Sequence, residues 1–202
     1  MALALASLCR AWLVPGNGGE SGWAELGRRT IMSSSEAKFV AAISGAKTSA
    51  PCWEALDELA ASVVGHKLFT VSVTDIPAAL VRRVYSNMPD AYPTSGTKPL
   101  RGNTGDWFET VFNRRLLFSA NSLADIAKVF PDHELIGSLG LGSVINLPIV
   151  LAGDLVATVN LLDTAGHYTP EVVATAEAKL AIPARLCAAL ALRFDPLTQA
   201  AN

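Results

Sequence analysis

The spacing of apolar positions changes along the chain from a helical period to a period of two and back, and the changes mark the elements. Phe39, Val40, Ile43 and Ala46 recur at helical spacing over residues 34–46, and just ahead Ser33 and Glu36 have the separation of a capping box. Pro51 opens a second helix with Trp53, Leu56, Ala60 and Val63 on one face. Over residues 67–75 Phe69, Val71 and Val73 alternate with Thr70, Ser72 and Thr74, which predicts a half-buried strand ended by Pro77. Residues 80–87 form the next strand, and the short connection makes it an antiparallel neighbour.

Residues 88–103 hold Pro89, Pro93, Gly96, Pro99 and Gly102, a composition that predicts a long loop with no regular element. Thr104 is placed to cap a helix in which Trp107 meets Val111 and Phe108 meets Phe112. Residues 116–120 read as a short strand. Ser122 and Asp125 then begin a helical turn, and Pro131 opens another through Leu135, Ile136 and Leu139 that stops at Gly140-Leu141-Gly142. Thr169-Pro170-Glu171 starts a terminal helix to about Arg193, and Pro183 inside it predicts a kink that turns the last turns away from the domain.

The strongest pairing signal is a hairpin of residues 143–150 and 155–163 around Ala152-Gly153-Asp154. With Leu151 opposite Leu155 across a three-residue loop, Ile145, Leu147 and Ile149 face Leu161, Val159 and Ala157 on one apolar side. The other side pairs Asn146 with Asn160 and Pro148 with Thr158. A slip of one residue would mix polar and apolar groups on both sides, which a buried face disfavours. Two asparagines and a threonine in mid-sheet need partners, either each other and loop backbone or a ligand.

Composition adds limits. The chain of 202 residues is 50% hydrophobic and 17% charged, enough to bury one sizeable core. A formal net charge of −2, with no basic run longer than the isolated pairs Arg28-Arg29, Arg82-Arg83 and Arg114-Arg115, argues against nucleic acid as a partner. Those pairs read as solvated element ends. Cys9, Cys52 and Cys187 have neither metal-ligand nor disulfide spacing, so no metal or cofactor is expected, the last two are buried structural thiols, and the compartment is the cytoplasm. No apolar run reaches membrane-spanning length, and the apolar start from Met1 to Leu8 lacks the basic region of a signal peptide. The Gly-rich stretch at residues 15–22 makes residues 1–31 an extension outside the fold, with Met32 a candidate start, residues 32–195 the domain and residues 196–202 a tail.

The order of elements resembles the GAF family over about residues 36–193. The likeness is carried by Gly142-Ser143-Val144-Ile145-Asn146-Leu147-Pro148-Ile149, by Gly153-Asp154 followed by Leu155-Val156-Ala157-Thr158-Val159-Asn160-Leu161-Leu162, and by Tyr168-Thr169-Pro170-Glu171. The resemblance implies an α+β fold: a central antiparallel sheet with helices on one face and a ligand pocket under a long loop on the other. The family's ligands range from cyclic nucleotides to tetrapyrroles and small acids. Residues 88–142 contain no cysteine, which argues against bilin attachment and the redox chemistry of the methionine sulfoxide reductase branch, and no Asn-Lys-Phe-Asp-Glu motif of cyclic-nucleotide binders is present.

The expected function is therefore that of a small-molecule sensor or binding module, acting through a partner or a homodimer; a third reading is a purely structural dimerisation module in which the first and last helices pair. Expected ligand-binding residues are Tyr92, Lys98 and Trp107, as an aromatic and cationic lining, together with Asn146, Thr158 and Asn160. Trp107 also reads as core, and more readily so, because Val111 one turn on is apolar. The alternative is an enzyme acting on a small polar or carboxylate metabolite, with His133 and Asp125 as acid–base candidates and Lys98 as anion anchor. Against it, Asp132-His133-Glu134 reads as an exposed polar turn, and His66, His133 and His167 are spread too widely for a metal site.

Overall fold

A computed structural model describes residues 32–75, 78–100 and 105–195. The expectations for residues 1–31, Pro77, Thr104 and residues 196–202 lie outside them. Six strands, β1 (Leu68–Asp75), β2 (Leu80–Ser86), β3 (Thr97–Pro99), β4 (Phe118–Ala120), β5 (Ser143–Leu151) and β6 (Asp154–Asp163), form one antiparallel sheet in the order β3-β2-β1-β6-β5-β4. The helices α1 (Ser34–Gly45), α2 (Ala50–Val63) and α5 (Pro170–Phe194) share a core with one face of it, and the short α3 (Leu123–Ala127) and α4 (His133–Ser138) share a second core with the other.

Local chemistry accounts for the helix starts. The Ser33 hydroxyl accepts from the Glu36 N–H while the Glu36 carboxylate accepts from the Ser33 N–H, the reciprocal pair expected of a capping box. Ser122 accepts from the Asp125 N–H to begin α3, and Thr169 from the Val172 N–H to begin α5. The start of α4 lies at His133, two residues after the expected Pro131. Helix α5 continues through Pro183, and Ala184, Cys187, Ala188 and Ala191 beyond it are buried in the core, so its last turns stay on the domain. Small side chains on that face let the helix lie close to α2, where the Cys187 thiol donates to the Cys52 carbonyl at 3.1 Å. Burial pushes the thiols of both cysteines up, as befits inert packing groups.

The hairpin pairs as its pattern predicts through Ile145↔Leu161, Asn146↔Asn160, Leu147↔Val159, Pro148↔Thr158 and Ile149↔Ala157. Beyond this it departs from the expected loop. Leu155 pairs with Val150 and Asp154 with Leu151, so Val156 is an extra residue and the turn has two residues, Ala152 and Gly153, both at positive φ (50° and 92°). The extra residue near the turn lets the central pairs keep their faces while the turn takes the handedness that suits twisted strands.

A second extra residue sits in β2. Tyr85 pairs with Val71 and Arg83 with Ser72, leaving Val84 unpaired. Regular alternation would put Arg83 and Tyr85 on the same face. The bulge separates them: Tyr85 packs with Val84 against the helix-side core and donates to Asp57 Oδ2 on α2 at 2.8 Å, while Arg83 turns to the opposite face. Finally, the loop expected to be irregular contributes β3, because β2 would otherwise be a bare edge: Val81 pairs with Lys98 and Arg82 with Thr97.

Candidate functional site

The face of β1, β5 and β6 away from the long helices carries Thr70 and Ser72, Val144 and Asn146, and Thr158, Asn160 and Leu162, and it floors a cavity of about 110 Å³. Lys98 on β3, Arg83 on β2, Tyr92 from the loop, Trp107, and Phe130, Asp132 and Ile136 complete the walls. All six residues expected to contact a ligand, Tyr92, Lys98, Trp107, Asn146, Thr158 and Asn160, therefore line one space.

A hydrogen-bonded row crosses the floor. Trp107 Nε1 donates to Asn146 Oδ1 at 3.0 Å, Asn146 Nδ2 to Asn160 Oδ1 at 2.7 Å, and Asn160 Nδ2 to Thr70 Oγ1 at 3.1 Å. The two asparagines thus bond each other and also face the cavity. Trp107 likewise packs against the second core, edge-on to Phe130 at 6.3 Å between ring centroids, while lining the space. It leads into a π-helical segment, Phe108–Asn113, where an α-helix was expected. There the Arg114 N–H reaches Glu109 O at 2.9 Å, one residue further back than in an α-helix, and Arg115 at φ 59° ends the segment.

The upper wall carries the charge. Arg83 Nη1 donates to Pro93 O at 2.9 Å, and the guanidinium carbon lies 4.8 Å from the centroid of the Tyr92 ring. Gly96 makes this passage possible, since a Cβ there would meet Arg83 Nη1 at 2.6 Å. The Tyr92 hydroxyl donates to Asp132 Oδ2 at 3.1 Å. Lys98 Nζ stands 5.3 Å from the Phe130 ring centroid. Among the described residues Arg83 Nε and Asp132 Oδ1 are buried with no hydrogen-bond partner. Burial holds the Lys98 ammonium below the ordinary lysine range, with Asp132 opposing the effect and Arg83 adding to it. Burial, followed by Asp132, pushes the Tyr92 phenol up, so it remains a donor across the neutral range.

Two of these groups escaped the sequence reading. Arg83 is not a solvated end like its neighbour Arg82, whose guanidinium is exposed and bonded to Asp75; the bulge at Val84 turns Arg83 inward. Asp132 is not part of a wholly exposed turn, because Phe130 and Ile136 on either side are core residues and draw it over the cavity. The proposed acid–base pair does not meet there. His133 Nδ1 bonds to Phe130 O at 3.0 Å, and the exposed Asp125 carboxylate is held by Lys128 at 2.7 Å and Ser122 at 2.6 Å, which lower its pKa; neither residue lines the cavity. Among the described residues no group of three His, Cys, Asp or Glu is placed to hold a metal ion, and no helix is long and apolar enough to cross a membrane.

Lys98 offers a test of the charge in this wall. Its folded pKa lies below the ordinary value of 10.5, so between the two the unfolded chain binds more protons and stability rises with pH. The variant Lys98→Met should be more stable than the parent at neutral pH and should lose that alkaline rise. Urea denaturation as a function of pH reads both; a variant of lower stability at neutral pH would contradict a desolvated ammonium.

An antiparallel sheet with long helices on one face and a small lined cavity on the other defines a domain of α+β class. More particularly, its fold is that of a GAF domain. The GAF domain of a phosphoenolpyruvate-protein phosphotransferase from Coxiella burnetii is similar at TM-score 0.59 and 11% identity, over 77% of this chain and 90% of that one. The GAF domain of a two-component sensor histidine kinase from Bacillus halodurans follows at TM-score 0.54 and 14% identity, over 76% of this chain and 98% of that one. The GAF-B domain of DevS from Mycobacterium smegmatis gives 0.51 and 15%, over 72% and 96%. No protein-family model matches the sequence, and no curated protein does. At these identities the likeness establishes the fold alone.

Proposed function

We propose that the protein is a cytoplasmic GAF-like binding module that senses a small anionic metabolite. The observation that carries this reading is the pair of inward-facing cations, Arg83 and Lys98, set against a single carboxylate, Asp132, in a cavity with apolar walls. A desolvated positive site of this kind favours an anion. The volume of about 110 Å³ lies below the ~300 Å³ at which pockets for drug-sized ligands begin, which favours a compact metabolite over a tetrapyrrole. Cytoplasmic residence is supported by the free, buried Cys52 and Cys187. Native mass spectrometry of freshly purified protein should reveal a bound small acid in the parent and none in Arg83→Met. An equal load in both would remove Arg83 from the site.

Output through a homodimer is the second part of the proposal. Helix α5 leaves Ile182 and Leu186 68% and 46% exposed, one turn apart on the side away from the sheet, a surface suited to a second copy. Light scattering at micromolar concentration should give twice the mass of one chain, and a mass of one chain would overturn it.

A further inference from the structure

Two of the residues that line the cavity carry an unpaired polar atom as well as a charge. Asp132 Oδ1 is a buried acceptor and Arg83 Nε a buried donor, each with no partner among the described residues. Buried polar atoms are nearly always paired, so a ligand that fits should offer an acceptor to one and a donor to the other. Arg83 and Lys98 against Asp132 leave one net positive charge. A monoanion whose donor is neutral brings the site to neutrality, whereas a zwitterion leaves a buried positive charge and a dianion creates a negative one, and uncompensated charge is costly away from water. Leu68, Ile136, Val144 and Leu162 supply apolar wall for a short tail.

Resting on the anion-binding reading above, we infer that the cavity takes a small hydroxy-monocarboxylate with a short apolar tail. Its carboxylate accepts from Arg83 Nε and the Lys98 ammonium, and its hydroxyl donates to Asp132 Oδ1. Asp132 is then the specificity-determining residue, and Tyr92, bonded to its other oxygen, is a positioning residue.

The test is calorimetric titration of the full chain with four acids of similar size: 2-hydroxyisovalerate, isovalerate, valine and methylsuccinate. In the parent, 2-hydroxyisovalerate should bind at least about tenfold more tightly than isovalerate, the low end of what a hydrogen bond to a charged group gives. Valine and methylsuccinate should be weaker still. In Asp132→Asn the amide oxygen can still accept from Tyr92, while the site gains a net positive charge, so the order should exchange and methylsuccinate should lead. In Lys98→Met all anions should weaken. If the hydroxy acid and isovalerate bind the parent equally and both weaken in Lys98→Met, anion sensing stands and the inference about the hydroxyl fails. Tighter binding of valine or methylsuccinate to the parent overturns it too. If none of the four binds the parent, or Lys98→Met changes nothing, the anion-binding reading falls together with it.

Discussion

Replacing Asn146 by leucine should lower the unfolding free energy by about 2–4 kcal/mol, because two groups lose their partner at once. The Trp107 indole N–H loses its acceptor and Asn160 Oδ1 loses its donor, and an orphaned buried polar atom costs roughly 1–3 kcal/mol. Asn146 is only 3% exposed, so water does not readily replace the lost bonds. The double variant Asn146→Leu with Asn160→Leu should recover part of the loss and no more. It removes the orphaned Asn160 oxygen but leaves the indole N–H unmatched and takes the Asn160 amide from Thr70, so full restoration, which pairing of the asparagines with each other alone would predict, is not expected. Urea denaturation of parent, single and double variants measures all three, and a double variant as stable as the parent would show that neither the indole N–H nor Thr70 depends on its partner in the row.

A larger loss is expected for Phe69→Ala. The Phe69 side chain is fully buried on the helix side of β1, with the His66 ring at 5.2 Å and the Tyr85 ring at 5.9 Å between centroids. Truncating a buried phenylalanine to alanine costs about 3–5 kcal/mol in lost transfer energy and residual cavity. Domains of this kind have only about 5–15 kcal/mol in total, so the variant should be marginally folded, with a thermal midpoint far below that of the parent. The site should suffer as well, since Tyr85 packs on Phe69 just beside the bulge that aims Arg83 at the cavity. A loss below about 1 kcal/mol would mean the neighbours collapse into the space.

The sheet and the long helices were legible because each depends on local information. Period-two alternation in β1, the match of two apolar faces in the hairpin, and the caps at Ser33 and Thr169 state their outcome within a few residues. What escaped depends on one residue too many. Val84 and Val156 are ordinary strand residues by composition, and nothing in an alternating pattern distinguishes a bulged valine from a paired one, yet the first decides which way Arg83 points. Asp132 escaped for a different reason. Its partner Tyr92 lies 40 residues away, and no local pattern contains that distance. Strand β3 is stabilised by the edge it covers rather than by its own sequence, Thr97-Lys98-Pro99, which has poor strand character. The six ligand-facing expectations converged because four of them, Asn146, Thr158, Asn160 and Trp107, follow directly or by packing from the hairpin register.

The row of hydrogen bonds under the cavity has a direction, and one residue sets it. An indole nitrogen donates and never accepts, so Trp107 forces Asn146 to present its oxygen to it and its amide nitrogen to Asn160, which must then do the same toward Thr70. Neither amide can flip alone without placing oxygen against oxygen or nitrogen against nitrogen. The floor of the cavity is therefore a polarised array whose carbonyl ends point toward the π-helical segment and whose amide ends point toward β1. Any molecule lying on it meets a vector, so the two ways of seating it end for end are unequal in energy before a single charged side chain is counted.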